Sequence, residues 1–258
     1  MSDSIAPLDE TAHTALVTGA ADPSGIGAAC ARALAERGCA VGLLDRRPCD
    51  EVVAELTATG AHTAQVTVDL ADAATIDPAV DRLEHELGGA ATAILVNCAV
   101  DLTQGRLEEL DAATLTRVLA VNVVAAAMLA RRVAPGMARR HFGRIVNIAS
   151  NTFDRPPGPA MSAYIASKGG LIGLTRSLAV ELGPSGITVN AISPGLTHTA
   201  GARAGQADEH FERVREQQAL GRTLQPADYA GILALLVSEQ GGAITGQTIR
   251  VDAGVVMV

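Results

Sequence analysis

Tyr164 and Lys168 are the two residues whose types and spacing most directly suggest chemistry. Lys168 is the only lysine among twenty basic residues, and it follows one of two tyrosines by four positions. In a helix that spacing puts both side chains on one face, one turn apart. An ammonium about 4 Å from a phenol contributes on the order of 4 kcal/mol at a dielectric of 20, enough to lower a pKa of about 10 by about two to three units before desolvation subtracts part of that effect. The pair predicts a tyrosine that shuttles protons, and a chance pair accounts for it in roughly one case in a hundred.

The elements that must position this pair alternate along the chain. Short apolar runs predict strands, and amphipathic segments between them predict helices. This order indicates a seven-stranded parallel sheet with helices on both faces, a doubly wound Rossmann fold of the α/β class. The strands are predicted at 14–18, 40–44, 64–68, 93–97, 144–149, 186–192 and 248–252, and the helices at 26–37, 50–59, 73–87, 107–139, 161–182 and 226–238.

We expect one domain over residues 13–258, preceded by a disordered tail at 1–12. Residues 196–218 are small and charged in their later part, with little apolar rhythm, and predict a lid or a loosely docked helix pair.

A glycine-rich turn follows the first strand, with the sequence TGAADPSGIG at residues 18–27. Its glycines let the backbone approach a pyrophosphate at a helix N-terminus, although an ordinary turn has the same composition. Asp45 closes the second strand, where a carboxylate accepts the adenosine ribose hydroxyls and repels a 2′-phosphate. Arg46 and Arg47 follow and could instead hold that phosphate, so NAD is favoured over NADP by about three to one.

From about His13 onward the chain resembles the short-chain dehydrogenase/reductase family in its compact form. The motifs that carry the resemblance stand in the family's order. They are TGAADPSGIG, Asp69-Leu70, Asn97-Cys98-Ala99-Val100, Asn122, Ser150, Tyr164 to Lys168, Pro194-Gly195 with Thr197 and Thr199, and ITGQTIRVDAG near the end.

The resemblance implies a role for each residue. Ser150 would hydrogen-bond the substrate oxygen and Tyr164 would exchange its proton. Lys168 would bind the nicotinamide ribose and lower the pKa of Tyr164, while Asn122 would bend its helix and hold a water. The implied cofactor contacts are Gly19, Gly25, Ile26, Gly27, Asp45, Asp69, Leu70, Asn97, Ala99, Tyr164, Lys168, Pro194, Gly195, Thr197 and Thr199.

The sequence departs from the family pattern at two places. Five residues separate Gly19 from Gly25 where the family has three, so we expect the loop to bulge. Val100 stands where the family has glycine, close to the expected nicotinamide. Candidate walls of the substrate pocket are Phe153, Met161, His198 and Phe211, which ordinary loop packing explains equally well.

Three functions are compatible with these residues. The first is an NAD-dependent oxidoreductase acting on a small secondary alcohol or ketone. The second is an NADPH-dependent 3-oxoacyl reductase that uses Arg46 or Arg47. The third is a catalytically silent dinucleotide-binding scaffold, against which the set of Asn122, Ser150, Tyr164 and Lys168 argues.

Composition excludes several other classes. A net charge of −8 and the absence of tryptophan disfavour nucleic acid and anionic membranes as partners. The N-terminus lacks the features of a signal peptide and no apolar run approaches roughly 18 residues, which predicts a cytoplasmic protein. Four cysteines without metal-ligand spacing predict reduced thiols and no metal site. The family resemblance implies a homotetramer, and the apolar tail 253–258 suits a subunit contact.

Overall fold

The computed structural model describes residues 13–205 and 207–257. The predicted tail at 1–12 lies outside these residues. The strands form one sheet in the order β3-β2-β1-β4-β5-β6-β7, with every neighbouring pair parallel. The strands are β1 Thr14–Thr18, β2 Ala40–Asp45, β3 Thr63–Thr67, β4 Thr92–Asn97, β5 Gly143–Ile148, β6 Ile187–Pro194 and β7 Thr248–Val251.

Nine α-helices are present in the described part of the chain. They are α1 Ile26–Ala35, α2 Asp50–Ala58, α3 Ile76–Glu86, α4 Ala112–Leu119, α5 Ala125–Arg139, α6 Ser162–Leu182, α7 Ala200–Gly205, α8 Asp208–Gln217 and α9 Ala230–Val237. The predicted lid region contains α7 and α8. The predicted helix 107–139 is divided into a 3₁₀ turn at Leu107–Glu109, then α4, one π turn and α5.

The sheet has a hydrophobic core on each face. Alternate strand residues supply the two cores, as Val17 and Leu16 do from β1. One core is closed by α1, α2 and α9, and the other by α3, α5 and α6. The predicted doubly wound fold with helices on both faces is therefore confirmed.

The helical stretch 112–139 corrects the expectation that no apolar run is long enough to span a membrane. It is 28 residues long and contains an 18-residue window with a mean hydropathy of 1.8. In the structure Leu129, Val133 and Met137 of this stretch lie in the second core, and Arg131 pairs with Asp77 of α3. This apolar sequence therefore forms α4, the π turn and α5 of the folded domain. Of the 18-residue window, 28% is buried within the chain.

The predicted contact surface at the apolar tail 253–258 stays a prediction. In the single chain the Met257 side chain is 75% exposed, whereas Val255 and Val256 are partly buried.

Gly27 packs the start of α1 directly against the end of β1. A Cβ atom at this position would lie 2.2 Å from the carbonyl oxygen of Gly19, which leaves no room for alanine. The glycine loop and the helix can therefore meet only through backbone atoms.

Replacing Gly27 by Ala should lower the free energy of unfolding by about 2 kcal/mol or more, because the new methyl group overpacks a backbone contact. Urea unfolding followed by circular dichroism measures the change. Gly231→Ala in α9 is the matched control, since nothing lies within 4 Å of its Cβ position, and it should change stability by less than about 1 kcal/mol. Equal midpoints for the two variants would contradict this packing.

Candidate active site

The carboxyl ends of β1 and β4 meet where the strand order of the sheet reverses. Ligands of open α/β sheets bind in the crevice outside such a point. The Thr18 hydroxyl, at the end of β1, accepts hydrogen bonds from the amides of Cys98 and Ala99, both at 2.9 Å. These bonds join the two strand ends beneath the crevice.

The enlarged glycine loop forms a closed turn. The Gly25 amide donates to the Asp22 carbonyl oxygen at 2.8 Å. The Asp22 carboxylate accepts from the Ser24 amide at 2.9 Å and from the Ser24 hydroxyl at 2.7 Å. The extra residues are thus held by their own hydrogen bonds.

The turn is also anchored to the helices behind it. Arg32 of α1 donates to the Pro23 carbonyl oxygen at 2.9 Å and pairs with Glu55 of α2 at 2.7 Å. No side chain caps the N-terminus of α1 at Gly25 among the described residues. The amides that begin at Ile26 and Gly27 therefore suit an anionic ligand.

Asp45 closes β2 beside this loop. One carboxylate oxygen accepts from the Ala21 amide at 2.9 Å and the other from the Arg47 amide at 3.0 Å. Each oxygen keeps acceptor capacity, so the carboxylate can position the loop and still receive a hydroxyl. The side chains of Arg46 and Arg47 are exposed next to it.

Asp69 and Leu70 follow β3 at the same carboxyl-terminal edge of the sheet. Leu70 is buried, whereas the Asp69 carboxylate is half exposed. The Ala71 amide, and then Arg117 at 3.4 Å, lower the pKa of Asp69. Arg117 also lies 3.3 Å from Asp101 and so links the two acids.

Asn97, at the end of β4, has one satisfied and one unsatisfied group. Its Nδ2 atom donates to Asn147 of β5 at 2.8 Å, whereas its buried Oδ1 atom has no hydrogen-bond partner among the described residues. A cavity of ≈ 10 Å³ beside Asn97, Thr18 and Asn122 is about large enough for one water. Val100 is exposed.

Asn122 lies in the π turn Ala120–Val124 between α4 and α5. Its side-chain oxygen accepts from the Asp101 amide at 2.7 Å, and its nitrogen donates to the Ser167 hydroxyl at 2.9 Å. π turns often mark functional sites, because the extra residue displaces a side chain from the regular helix face. Here the turn brings Asn122 against α6.

Ser150, Tyr164 and Lys168 converge just beyond the end of β5. Ser150 follows the strand, and the interaction of its hydroxyl with the Tyr164 phenol lowers the pKa of the phenol. Lys168 Nζ donates to the Ile148 carbonyl oxygen at 2.7 Å and lies 5.6 Å from the centroid of the Tyr164 ring. All three side chains are buried, so water is largely kept from their polar atoms.

The electrostatics of this cluster differ from the sequence expectation. Burial raises the pKa of Tyr164, against a smaller lowering by the Ser150 hydrogen bond. The expected lowering of the Tyr164 pKa by Lys168 is therefore wrong for the structure, because desolvation of the phenolate is the largest effect on this pKa. Burial also lowers the pKa of Lys168 to about 8, and it raises the pKa of the Cys98 thiol to about 12.

The segment after β6 is fixed by the end of β7. The Gly195 amide donates to the Val251 carbonyl oxygen at 3.1 Å, directly after Pro194. The Thr197 hydroxyl is buried against the Gly195 carbonyl oxygen and the Tyr229 hydroxyl. The Thr199 hydroxyl accepts from an amide in α7 at 3.1 Å. Both threonine hydroxyls already have protein partners.

The four residues suggested as pocket walls differ in their exposure and in their contacts. Phe153 is partly exposed and packs on Gly169 of α6. His198 and Phe211 contact each other edge to face, with centroids 5.9 Å apart, and thus join the start of the lid to α8. Met161 is the residue before α6 and is partly buried.

Sequence reasoning missed three residues that hold the site. Thr152 contacts the Ser150 hydroxyl, Tyr229 contacts Thr197, and Asp252 accepts from Asn151 at 3.2 Å. Of the three, only Thr152 could have been inferred from the sequence, because its hydroxyl stands two positions after Ser150. Within 13–205 and 207–257, no group of three or more His, Cys, Asp or Glu is arranged as metal ligands would be.

Comparison with known proteins identifies this architecture. A family model described as enoyl-(acyl carrier protein) reductase matches residues 19–256. Cis-4-hydroxycyclohexanecarboxylate dehydrogenase of Sinomonas cyclohexanicum is 34% identical over 243 residues, covering 94% of this chain and 96% of that protein. The chain belongs to the short-chain dehydrogenase/reductase family.

Solved structures of this short-chain dehydrogenase/reductase family have the same fold. A dehydrogenase/reductase from Sinorhizobium meliloti superposes with a TM-score of 0.87 at 37% identity, covering 98% of each chain. A short chain dehydrogenase from Burkholderia cenocepacia, in complex with NADP, gives a TM-score of 0.85 at 36% identity, covering 94% of this chain and 97% of that one. The predicted family is confirmed, and the chain is an oxidoreductase at the level of that family.

The buried Lys168 of this family member makes stability depend on pH. Its pKa of about 8 in the folded chain lies below its usual value, so the unfolded chain binds more protons between the two values. The penalty for burying the ammonium is full below about pH 8 and is relieved as the pH rises through the range to about 10.5. The stability of the wild type relative to Lys168→Met should therefore rise by about 2 kcal/mol from pH 7 to pH 10. Urea unfolding of both proteins at each pH measures this, and a constant difference would show that the lysine is not desolvated.

Proposed function

We propose that this chain binds a nicotinamide dinucleotide and transfers a hydride between it and the carbon of a secondary alcohol or ketone. The observation that carries the proposal is the buried convergence of Ser150, Tyr164 and Lys168 at the end of β5. A buried phenol that interacts with a serine hydroxyl and has an ammonium close by is suited to proton transfer. The convergence argues against the silent scaffold.

The residues of the crevice fit the dinucleotide. The uncapped N-terminus of α1 suits the pyrophosphate, and the Asp45 carboxylate suits the ribose hydroxyls. Two buried polar atoms without partners among the described residues, Asn97 Oδ1 and Ser193 Oγ, lie at the carboxyl ends of β4 and β6. A ligand or water that satisfies them would remove a cost of about 1–3 kcal/mol each.

In alcohol oxidation the bound cofactor supplies the hydride acceptor. Ser150 donates a hydrogen bond to the reacting oxygen, and Tyr164 Oη takes the proton from that oxygen. In ketone reduction Tyr164 returns the proton. Lys168 places a positive charge beside the phenol. Its hydrogen bond to the Ile148 carbonyl oxygen keeps the ammonium on the face of α6 that carries Tyr164. Asn122 braces this helix through Ser167.

Cofactor preference is proposed to be for NAD. Asp45 stands next to the loop, and Asp22 adds a second carboxylate to the loop itself, so a 2′-phosphate would meet negative charge. Arg46 and Arg47 are exposed next to Asp45, and a related short chain dehydrogenase from Burkholderia cenocepacia was solved in complex with NADP. These facts favour the alternative, an NADPH-dependent 3-oxoacyl reductase, to which the acyl carrier protein in the family model's description also points.

A substrate panel followed by the absorbance of reduced nicotinamide, with NAD(H) and NADP(H) in parallel, tests the proposal. The panel contains cyclic and open-chain secondary alcohols, hydroxy acids such as cis-4-hydroxycyclohexanecarboxylate, the matching ketones and a 3-oxoacyl thioester. We expect turnover of an alcohol or ketone, with at least about a tenfold preference for NAD(H), which corresponds to about 1.4 kcal/mol. Exclusive use of NADPH with the thioester would establish the alternative, and cofactor binding without any turnover would indicate the scaffold.

Tyr164→Phe should abolish turnover, by about a thousandfold or more, because the proton-transfer group is removed while the ring remains. Cofactor affinity, measured by calorimetry, should change less than about threefold, and it serves as the internal control. Lys168→Ala should weaken both cofactor binding and turnover. Near-wild-type turnover in Tyr164→Phe would refute the assignment of Tyr164.

A further inference from the structure

Thr152 stands two residues beyond Ser150, in the 3₁₀ turn Asn151–Phe153. Its amide donates to the Ser150 hydroxyl oxygen at 3.2 Å, and its own hydroxyl donates to the same oxygen at 2.9 Å. A serine hydroxyl has two acceptor lone pairs and one proton. With both lone pairs engaged by Thr152, the proton of Ser150 has to point away from the turn.

The turn that carries Thr152 is fixed to the end of β7 at two places. Asn151 Nδ2 donates to the Asp252 carboxylate at 3.2 Å, and Arg250 Nε donates to the Asp154 carboxylate at 2.7 Å. Asp252 is buried, and its carboxylate also accepts from the amides of Gly254 and Val256. These bonds prevent the turn from carrying Thr152 away from Ser150.

We propose that Thr152 is a positioning residue that occupies both lone pairs of the Ser150 hydroxyl and thereby directs its one proton toward Tyr164 Oη in the free site and toward the reacting oxygen when substrate is bound. The inference rests on the proposed function, because it assigns Ser150 the task of donating to that oxygen. Ser150 is then always a donor toward these oxygens, in place of a hydroxyl that alternates between donating and accepting.

The ionisation of Tyr164 is the direct readout of this arrangement. Ser150 from the turn and Cys98 from the segment after β4 act on the pKa of the phenol, and Lys168 Nζ from α6 lies 5.6 Å from the ring centroid. Donation by Ser150 stabilises the phenolate and partly offsets the effect of burial. Without the Thr152 hydroxyl, Ser150 can accept from the phenol instead, which favours the protonated form of Tyr164.

The absence of tryptophan and the presence of two tyrosines make this ionisation measurable. In a Tyr229→Phe background, Tyr164 is the only tyrosine, and the near-ultraviolet absorbance of its phenolate after a pH jump gives its pKa. We expect Thr152→Val to raise this pKa by about 0.5 unit or more, a threefold change in the ionisation constant, and Thr152→Ser to leave it at the parent value. An equal pKa in Thr152→Val and Thr152→Ser overturns the proposal. If circular dichroism shows that Thr152→Val is unfolded, Thr152→Ala replaces it with the same expected shift.

Turnover gives a second readout that separates the two proposals. With the most active alcohol of the panel, Thr152→Val should lower kcat about tenfold and leave the KM for the cofactor unchanged, and Thr152→Ser should restore kcat. The pH at half-maximal oxidation should move upward with the Tyr164 pKa. A panel without any activity would contradict the proposed function alone, since the titration still tests Thr152.

Discussion

The bond between Lys168 Nζ and the carbonyl oxygen of Ile148 ties the one long helix of the site to the strand end that carries Ser150. It gives a hydrogen-bond partner to the ammonium of Lys168, a residue that is only 3% exposed, and it fixes the rotation of α6 against β5. Because Tyr164 lies one turn earlier on the same face, the same bond determines that the phenol reaches the Ser150 hydroxyl. The position of the reacting groups depends on this single donor and acceptor.

Burial gives the cluster its chemical character. It disfavours both charged forms, so it raises the pKa of Tyr164 and lowers that of Lys168. In water the pKa values of a tyrosine and a lysine lie close together, whereas here the phenol holds its proton more tightly than usual and the ammonium holds its proton more loosely. Hydrogen bonds within and beside α6 offset part of the free-energy cost of this burial. Asn122 donates to the Ser167 hydroxyl, which in turn donates to the Tyr164 carbonyl oxygen.

The adenosine end of the crevice is organised by backbone contacts. Gly27 lets α1 touch the end of β1, and Asp45 holds the loop through the Ala21 amide. The additional residues around Asp22 form a turn closed by their own hydrogen bonds, so the loop is longer without losing its anchorage to α1. An enlarged glycine loop is thus compatible with an intact N-terminus of the helix.

Local patterns in the sequence determined the fold class, the seven strands and the side-by-side placement of Tyr164 and Lys168. Strand alternation and the helical repeat depend on neighbours a few residues apart, so they can be read without the tertiary structure. Only the folded chain shows three other features of the site. They are the π turn at Asn122, the hydrogen bond between Thr197 and Tyr229, and the hydrogen bond from Asn151 to Asp252 that holds the turn after Ser150. The direction of the Tyr164 pKa belongs with them, because desolvation depends on which distant segments cover a side chain, and spacing along one helix contains no information about that cover.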